Sequence, residues 1–397
     1  MFDRRVDSSR RFLKNESLLI PLSIAILICS SACNEVPTLA PEPEPELSIQ
    51  RPASEPESDR APQELPGTPP DESTGEAPQE DAIASDSDEF LGEPDRARRE
   101  ALMQQPIAQV ERGRGGRSLA FKITLADGTV GYFKPEQSFS GAHWYAELAA
   151  YYLDRALGLG RTSPSIGRTF AWAPLREAAG ADARVREVRV SDEGTVRGAF
   201  IWWIPERLVR LPTGAGWEKW IRLTGGIDLS PFQRPSEYRE AIRRRREGQT
   251  PERVTSLSEP DLPSRPAELS DMILFDYLTS NVDRWGGENT NIRTRAPGGP
   301  LIYLDNGAGF WPNAQVSLME TRLRMVQRFR RETIAAIRAF NMSAFRERLN
   351  SDPLAPILSE NLLEGIAERL ERVVAHVEAM QERFGERIWF DEPSPEL

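Results

Sequence analysis

Apolar residues run through 119–125 and 130–134 on either side of Asp127-Gly128, a pattern that predicts two strands closed into a hairpin by a tight turn. The period then changes. Over 142–157, Trp144, Leu148, Ala149, Tyr152 and Leu153 recur at helical spacing, and Gly158 closes the run. So little polar surface is left that this helix is expected to be buried on most sides. Strands are expected again at 165–173, 184–190 and 196–204, the last two joined by a turn at 191–194, which completes a small, mainly antiparallel sheet. Beyond 205 the pattern is helical: short segments at 217–223 and 236–247, a loop over 249–264, then 266–279 with Pro266 near its first turn. Further helices are expected at 321–340, 342–349 and 362–384. The fold class is therefore α+β, with a sheet-bearing half at 97–205 and a helical half at 206–397.

The N-terminal quarter follows no such pattern. Arg4, Arg5, Arg10, Arg11 and Lys14 precede an almost wholly apolar 18–28, followed by Ser30, Ser31, Ala32 and Cys33. This order predicts a secretory signal over 1–33, too short to span a bilayer comfortably. Small residues directly before a cysteine resemble a bacterial lipoprotein cleavage site, which makes Cys33 the expected lipidation site, although Ser30 stands where such sites usually carry Leu. Residues 34–96 are rich in Pro and Glu and poor in large apolar side chains, so a disordered tether is predicted. Between 35 and 95 there are 18 acids and 2 bases, which accounts for the chain's net charge of −11 and leaves the folded part near neutral. Nothing here favours a nucleic-acid partner. The expectation is an exported protein held at the cell envelope by its lipid; Asn34 after the cysteine, in place of a retaining Asp, points to the outer membrane.

Charge and composition also narrow the chemistry. Cys29 and Cys33 are the only cysteines and both lie in the leader, so the folded part has no disulfide and no thiolate metal site. With His143 and His376 the only histidines, a His-rich zinc site or a Ser-His-Asp triad is nearly excluded. Carboxylate and lysine chemistry is left.

Residues for that chemistry gather in 275–310, FDYLTSNVDRWGGENTNIRTRAPGGPLIYLDNGAGF. An apolar helix ends in a loop holding Asp283 and Arg284, and a short apolar strand then delivers Asp305 at the head of a Gly-rich turn. In phosphoryl transfer one acidic residue orients or deprotonates the attacking hydroxyl, while a second, about twenty residues on and after a strand, holds metal on the phosphates. Upstream, Lys122 and Lys134 lie on the two arms of the hairpin, and Glu147 sits in the buried helix, where a carboxylate needs a cation or metal partner. Each piece has a plainer reading: an exposed strand lysine, a helix ion pair with Arg155, a hairpin turn at Asp305-Asn306-Gly307. Their conjunction, in this order, is what points to a kinase-type site. Gly113, Gly115 and Gly116, interleaved with Arg112, Arg114 and Arg117, are read either as a phosphate-covering loop or as a solvated entrance. The segment 198–205 is read as the crossing between halves or as a buried strand.

These motifs resemble those of the secretory-pathway kinases, the group that includes Four-jointed, the Golgi casein kinase and a glycosaminoglycan xylose kinase. The resemblance extends upstream to Phe133-Lys134-Pro135 and to 146–168. It implies a two-lobed atypical protein-kinase-like fold that uses ATP or another nucleoside triphosphate with Mg²⁺ or Mn²⁺, and a protein or glycan hydroxyl as acceptor. In the roles it implies, Asp283 positions or deprotonates the acceptor and Arg284 holds the loop or neutralises Asp283. Lys122, Lys134 and Glu147 serve the nucleotide, with Glu147 pairing Lys134 or binding metal. Asp305 ligates metal, with Glu288 or Asn289 as a secondary ligand, and Asp276 is a hydrogen-bond partner for the loop. Trp285 replaces the His that often follows Asp-Arg in the family, which bears on the acceptor. Two rivals stand beside this reading: a catalytically silent kinase-like lipoprotein acting as a scaffold, since the envelope supplies little ATP, and nucleotidyl transfer at the same metal site.

Overall fold

The computed structural model describes residues 88–139, 141–211, 220–223, 247, 264–285, 291–296, 298–311 and 316–390. The signal over 1–33 with Cys33, the tether before 88, positions 236–246 of the helix expected at 236–247, positions 217–219 of that expected at 217–223, Glu288 and Asn289 all lie outside the described residues; the remaining 220–223 form a turn and irregular chain, not a helix.

Five strands form the main sheet: β3 (Ile107–Arg112), β4 (Phe121–Leu125), β5 (Val130–Pro135), β6 (Ser165–Ala171) and β7 (Thr195–Trp202), in the order β3-β4-β5-β7-β6 and antiparallel throughout. Strand alternation sends Phe121, Ile123, Phe133 and Phe200 to one face, where they meet Phe170 and Leu102 in a closed core. Rings of Phe133 and Phe170 meet edge to face at 4.9 Å. Helices α1 (Arg96–Gln104) and α3 (Trp172–Ala179) cover this face. On the other side lies α2 (Trp144–Ala156), buried without interruption from Ala146 to Arg155 as its composition predicts.

The helical half joins the same unit through α4 (Arg265–Thr279), α5 (Val316–Met325), α6 (Arg331–Arg338), α7 (Met342–Asn350) and α8 (Glu360–Phe384), all contributing to a second core with α2. A three-stranded sheet links the halves, with β8 (Val209–Arg210) following the crossing segment and pairing with β9 (Ile292–Thr294), which pairs with β10 (Ile302–Tyr303). Among the described residues no helix is long and apolar enough to cross a membrane.

Several expectations need correction. Residues 88–95, placed in the tether, belong to the fold. The short strands β1 (Glu89–Phe90) and β2 (Glu93–Pro94) bring Phe90 against Ile204 and Ile302, and buried Asp95 accepts from Arg155 Nε at 2.6 Å and from the Tyr151 hydroxyl at 3.0 Å. The strand expected at 184–190 is a 3₁₀ turn, Ala183–Glu187, because the Asp182 carboxylate accepts from the Arg184 N–H and side chain, and Arg184 also reaches the carbonyls of Gly116 and Ser118. The helix expected at 321–340 breaks at 326–330. There the N–H of Gln327 goes to Ile221 O at 2.9 Å and that of Phe329 to Ile388 O at 2.6 Å, so tertiary partners replace the helical ones.

Candidate active site

Alternation on β5 turns Phe133 into the sheet core and Lys134 to the opposite face, towards α2. Glu147 lies in the first turn of α2, where the helix dipole favours a carboxylate. Lys134 Nζ donates to Glu147 Oε1 and to Asp305 Oδ1, each at 2.5 Å. The remaining capacity of Glu147 is taken by the turn after β10: Asn306 N–H reaches Oε2 at 3.1 Å and Gly307 N–H reaches Oε1 at 2.9 Å. The plainer partner considered for Glu147, Arg155, instead pairs with Asp95 and Asp154. Burial opposes the charge on Lys134, but the carboxylates of Asp305 and Glu147 outweigh it and hold the ammonium well above the ordinary lysine range. In return Lys134 holds the Asp305 carboxyl below its usual range.

The floor of the site is built by the end of α4. Ser280 takes a left-handed conformation at the helix C-cap, Asn281 N–H returns to Asp276 O at 2.9 Å, and Asn281 Oδ1 accepts the Asp283 N–H at 3.1 Å. Arg284 then turns inward. Its fully buried guanidinium donates to Asp276 Oδ1 at 3.0 Å, to the Leu304 carbonyl and to Asn306 Oδ1, tying the helix end, the loop and the Asp-Asn-Gly turn together. Arg284 does not line the cleft; its hydrogen bonds tie the loop, and its charge also draws the Asp283 and Asp305 carboxyls downward, so the geometry is compatible with both roles read for it. Asp276 is the hydrogen-bond partner expected from the sequence. Asn306 and Asn281 were missed, because nothing in their neighbourhood marks a side-chain acceptor in advance.

Asp283, Asp305, Lys134 and Glu147 all line one cleft of about 870 Å³. Asp305 stands in it with 53% of its side chain exposed and Lys134 with 17%. The Asp305 backbone has φ +55°, a left-handed value that an Asp tolerates better than most residues and that sites retain where a side chain must be aimed. Partial burial, and then the charge of Asp305, push the Asp283 carboxyl above its usual range. Gly115 and Gly116 line the same cleft, as do Trp202, Trp203 and Ile204 of the crossing segment. Lys122 does not. It shares the sheet face of Tyr132, its cross-strand partner, but its Nζ lies 5.2 Å from the Trp203 ring centroid, because alternation fixes a face and not a position along the cleft.

Among the described residues no group of three or more His, Cys, Asp or Glu side chains could enclose a metal. A Mg²⁺ or Mn²⁺ ion delivered with a triphosphate does not need one, since one or two carboxylates, phosphate oxygens and water complete its shell. Asp305 and Asp283 are hard oxygen donors facing the cleft and fit that requirement. Both oxygens of Glu147 are already committed.

The family model described as "Golgi casein kinase, C-terminal, Fam20" matches residues 226–387. Four-jointed box protein 1 of Mus musculus is 30% identical over 314 residues, covering 71% of this chain and 63% of its own length. Glycosaminoglycan xylosylkinase of Homo sapiens is 23% identical over 322 residues, covering 72% and 75%. The chain thus spans somewhat under two thirds of the mouse Four-jointed relative it matches. A crystal structure of the Golgi casein kinase with Mn/ADP bound aligns over 76% of this chain and 80% of that chain, with a TM-score of 0.54 and 19% identity, a likeness of fold. An antiparallel sheet half and a helical half meeting at a Lys, Glu, Asp, Asp cleft define an atypical protein-kinase-like protein. The chain is similar in sequence to members of the secretory-pathway atypical kinase family.

Proposed function

We propose that this protein is a metal-dependent phosphotransferase that moves the γ-phosphoryl of a nucleoside triphosphate to a hydroxyl on protein Ser/Thr or on a sugar, outside the cytoplasm. The supporting observation is the bridging of Lys134 to both Glu147 and Asp305, beside the Asp283 carboxylate, in one open cleft. The acceptor oxygen forms a bond to the γ-phosphorus as the bond from that phosphorus to the β,γ-bridging oxygen breaks. The nucleoside diphosphate leaves, and the hydroxyl proton passes to an Asp283 oxygen. The raised proton affinity of Asp283 suits it to that step. Lys134 supplies a fixed positive charge for the phosphates, and Glu147 fixes Lys134 and the turn that carries Asp305. When bound, Mg²⁺ or Mn²⁺ neutralises developing phosphate charge, held by Asp305 with Asp283 nearby; Glu288 or Asn289 is proposed as a further ligand. Gly115 and Gly116 line the cleft, which supports the reading of their loop as one that covers phosphates with backbone N–H groups.

The leader and acidic tether support export with Cys33 as lipid anchor at the outer membrane. The test is turnover: full-length protein with Mn²⁺ and ATP, acceptor proteins and glycans supplied separately, products read by mass spectrometry. A phosphate adduct with release of diphosphate nucleotide supports the proposal. A nucleotidyl adduct replaces it with the other transfer, and tight nucleotide binding without turnover of any acceptor replaces it with a silent binding module.

A further inference from the structure

Resting on the phosphotransfer reading, we infer that the base of the donor nucleotide is held by aromatic stacking on Tyr132 and Trp203 and is not read along its edge, so the site takes purine and pyrimidine triphosphates alike.

Tyr132 lies two residues before Lys134 on β5, on the same face and about 7 Å further from the carboxylates. That displacement runs towards the crossing segment, since Tyr132 pairs with Ile201 while Lys134 pairs with Ala199. The ring of Trp203 stands 5.8 Å from that of Tyr132, inclined at 43°, and both line the cleft. Trp203 is 40% exposed, and with the Lys122 Nζ 5.2 Å from its ring centroid the rest of the aromatic surface is open to a ligand. Tyr132 packs closely over Gly113: a Cβ there would stand 2.6 Å from its hydroxyl and 2.9 Å from the Ala120 carbonyl oxygen, so glycine makes room for the ring.

Polar groups that could discriminate bases are largely spent. The Trp202 N–H goes to Pro164 O at 2.8 Å and the Trp203 N–H to Val130 O at 2.9 Å. The hydroxyls of Ser163 and Ser165 donate to the carbonyls of Trp202 and Ser163 at 2.7 and 2.9 Å. Pro205 has no N–H. Glu206 pairs with Arg295 at 3.6 Å. Among the described residues the backbone donors of the crossing segment without a partner are the N–H groups of Ile204, Glu206, Arg207 and Leu208, and every base offers an acceptor on its pairing edge. N–H donors alone do not separate bases that all present acceptors, whereas every base has a π-face to stack.

The experiment measures Kd by calorimetry on the full chain with Mn²⁺ and, in turn, ATP, GTP, CTP, UTP and inorganic tripolyphosphate, which lacks a base. The four nucleotides are expected to bind within about tenfold of one another. Trp203→Ala is expected to weaken all four by about 5- to 100-fold while leaving tripolyphosphate unchanged, and Trp203→Phe to restore most of the loss. A preference above about tenfold for one base overturns the inference, and a guanine preference would point to Arg207 or Arg293 in the cleft wall as edge readers. Equal weakening of tripolyphosphate by Trp203→Ala also overturns it, since the ring would then act only through structure. If wild type binds neither nucleotide nor tripolyphosphate, the phosphotransfer reading itself falls; an ATP-only protein sinks this inference alone.

Discussion

Asp283 and Arg284 are neighbours in sequence and opposites in environment. Arg284 is wholly buried and bonded to Asp276, Leu304 and Asn306, whereas the Asp283 carboxylate faces the cleft with its backbone alone anchored, on Asn281. The same contrast separates Glu147, with every oxygen engaged, from half-exposed Asp305. Charged groups beneath the floor hold geometry, and those at the rim are left available for chemistry. A buried ion pair adds little net stability, yet losing one partner is expensive, so a buried clamp punishes displacement of the loop it ties.

The contrast can be broken from either side. The largest effect is expected below the floor: Arg284→Leu strands Asp276 without its cation and should cost about 3–5 kcal/mol, read as a fall in the urea midpoint at constant slope. Adding Asp276→Asn should recover part of that loss. A stable but inactive Arg284→Leu would instead place Arg284 in the chemistry. Next comes Glu147→Gln, which keeps the shape but removes the charge facing Lys134 and leaves one of the Asn306 and Gly307 N–H groups without its acceptor, since an amide nitrogen only donates. It should lower kcat/KM by about tenfold and destabilise by about 1–3 kcal/mol.

At the rim the effects are smaller and depend on pH. The raised Asp283 carboxyl must be deprotonated to accept the acceptor's proton, so the rate should fall as pH drops through it, with the acid limb above the ordinary carboxylate range. Because its folded-state proton affinity is raised, its charge opposes folding at neutral pH. Asp283→Asn should therefore raise the melting temperature slightly, by the equivalent of about 1 kcal/mol or less, while abolishing turnover. A loss of stability would make Asp283 a structural group. Asp305 has the opposite sign: its lowered carboxyl contributes stability above the unfolded-state value that is lost as pH falls through the folded one.

What the sequence made legible follows the same division. That Lys134, Glu147, Asp283 and Asp305 would line one cleft could be read because their types and order follow a kinase-type pattern. The hairpin at β4–β5, the helix α2 and the strands β6 and β7 could be read because apolar period and turn residues agree there. Helix α1 could not, since it buries an arginine: Arg99 donates to Ser165 O at 3.1 Å and to the Tyr152 hydroxyl at 2.8 Å, a mode of burial that no hydrophobic pattern announces. The position of Lys122 over Trp203 and the inward turn of Arg284 are tertiary facts of the same kind.

The central claim is that Asp305 presents metal to the phosphates of a bound nucleotide. Its direct test is the Mn²⁺-dependent gain in ATP affinity, measured by calorimetry for wild type and for Asp305→Asn, chosen because Asn tolerates the left-handed backbone at this position. The account predicts a gain of at least about tenfold in the wild type and almost none in the variant, with unliganded melting lowered modestly by loss of the charge facing Lys134. An equal Mn²⁺-dependent gain in both proteins would contradict it.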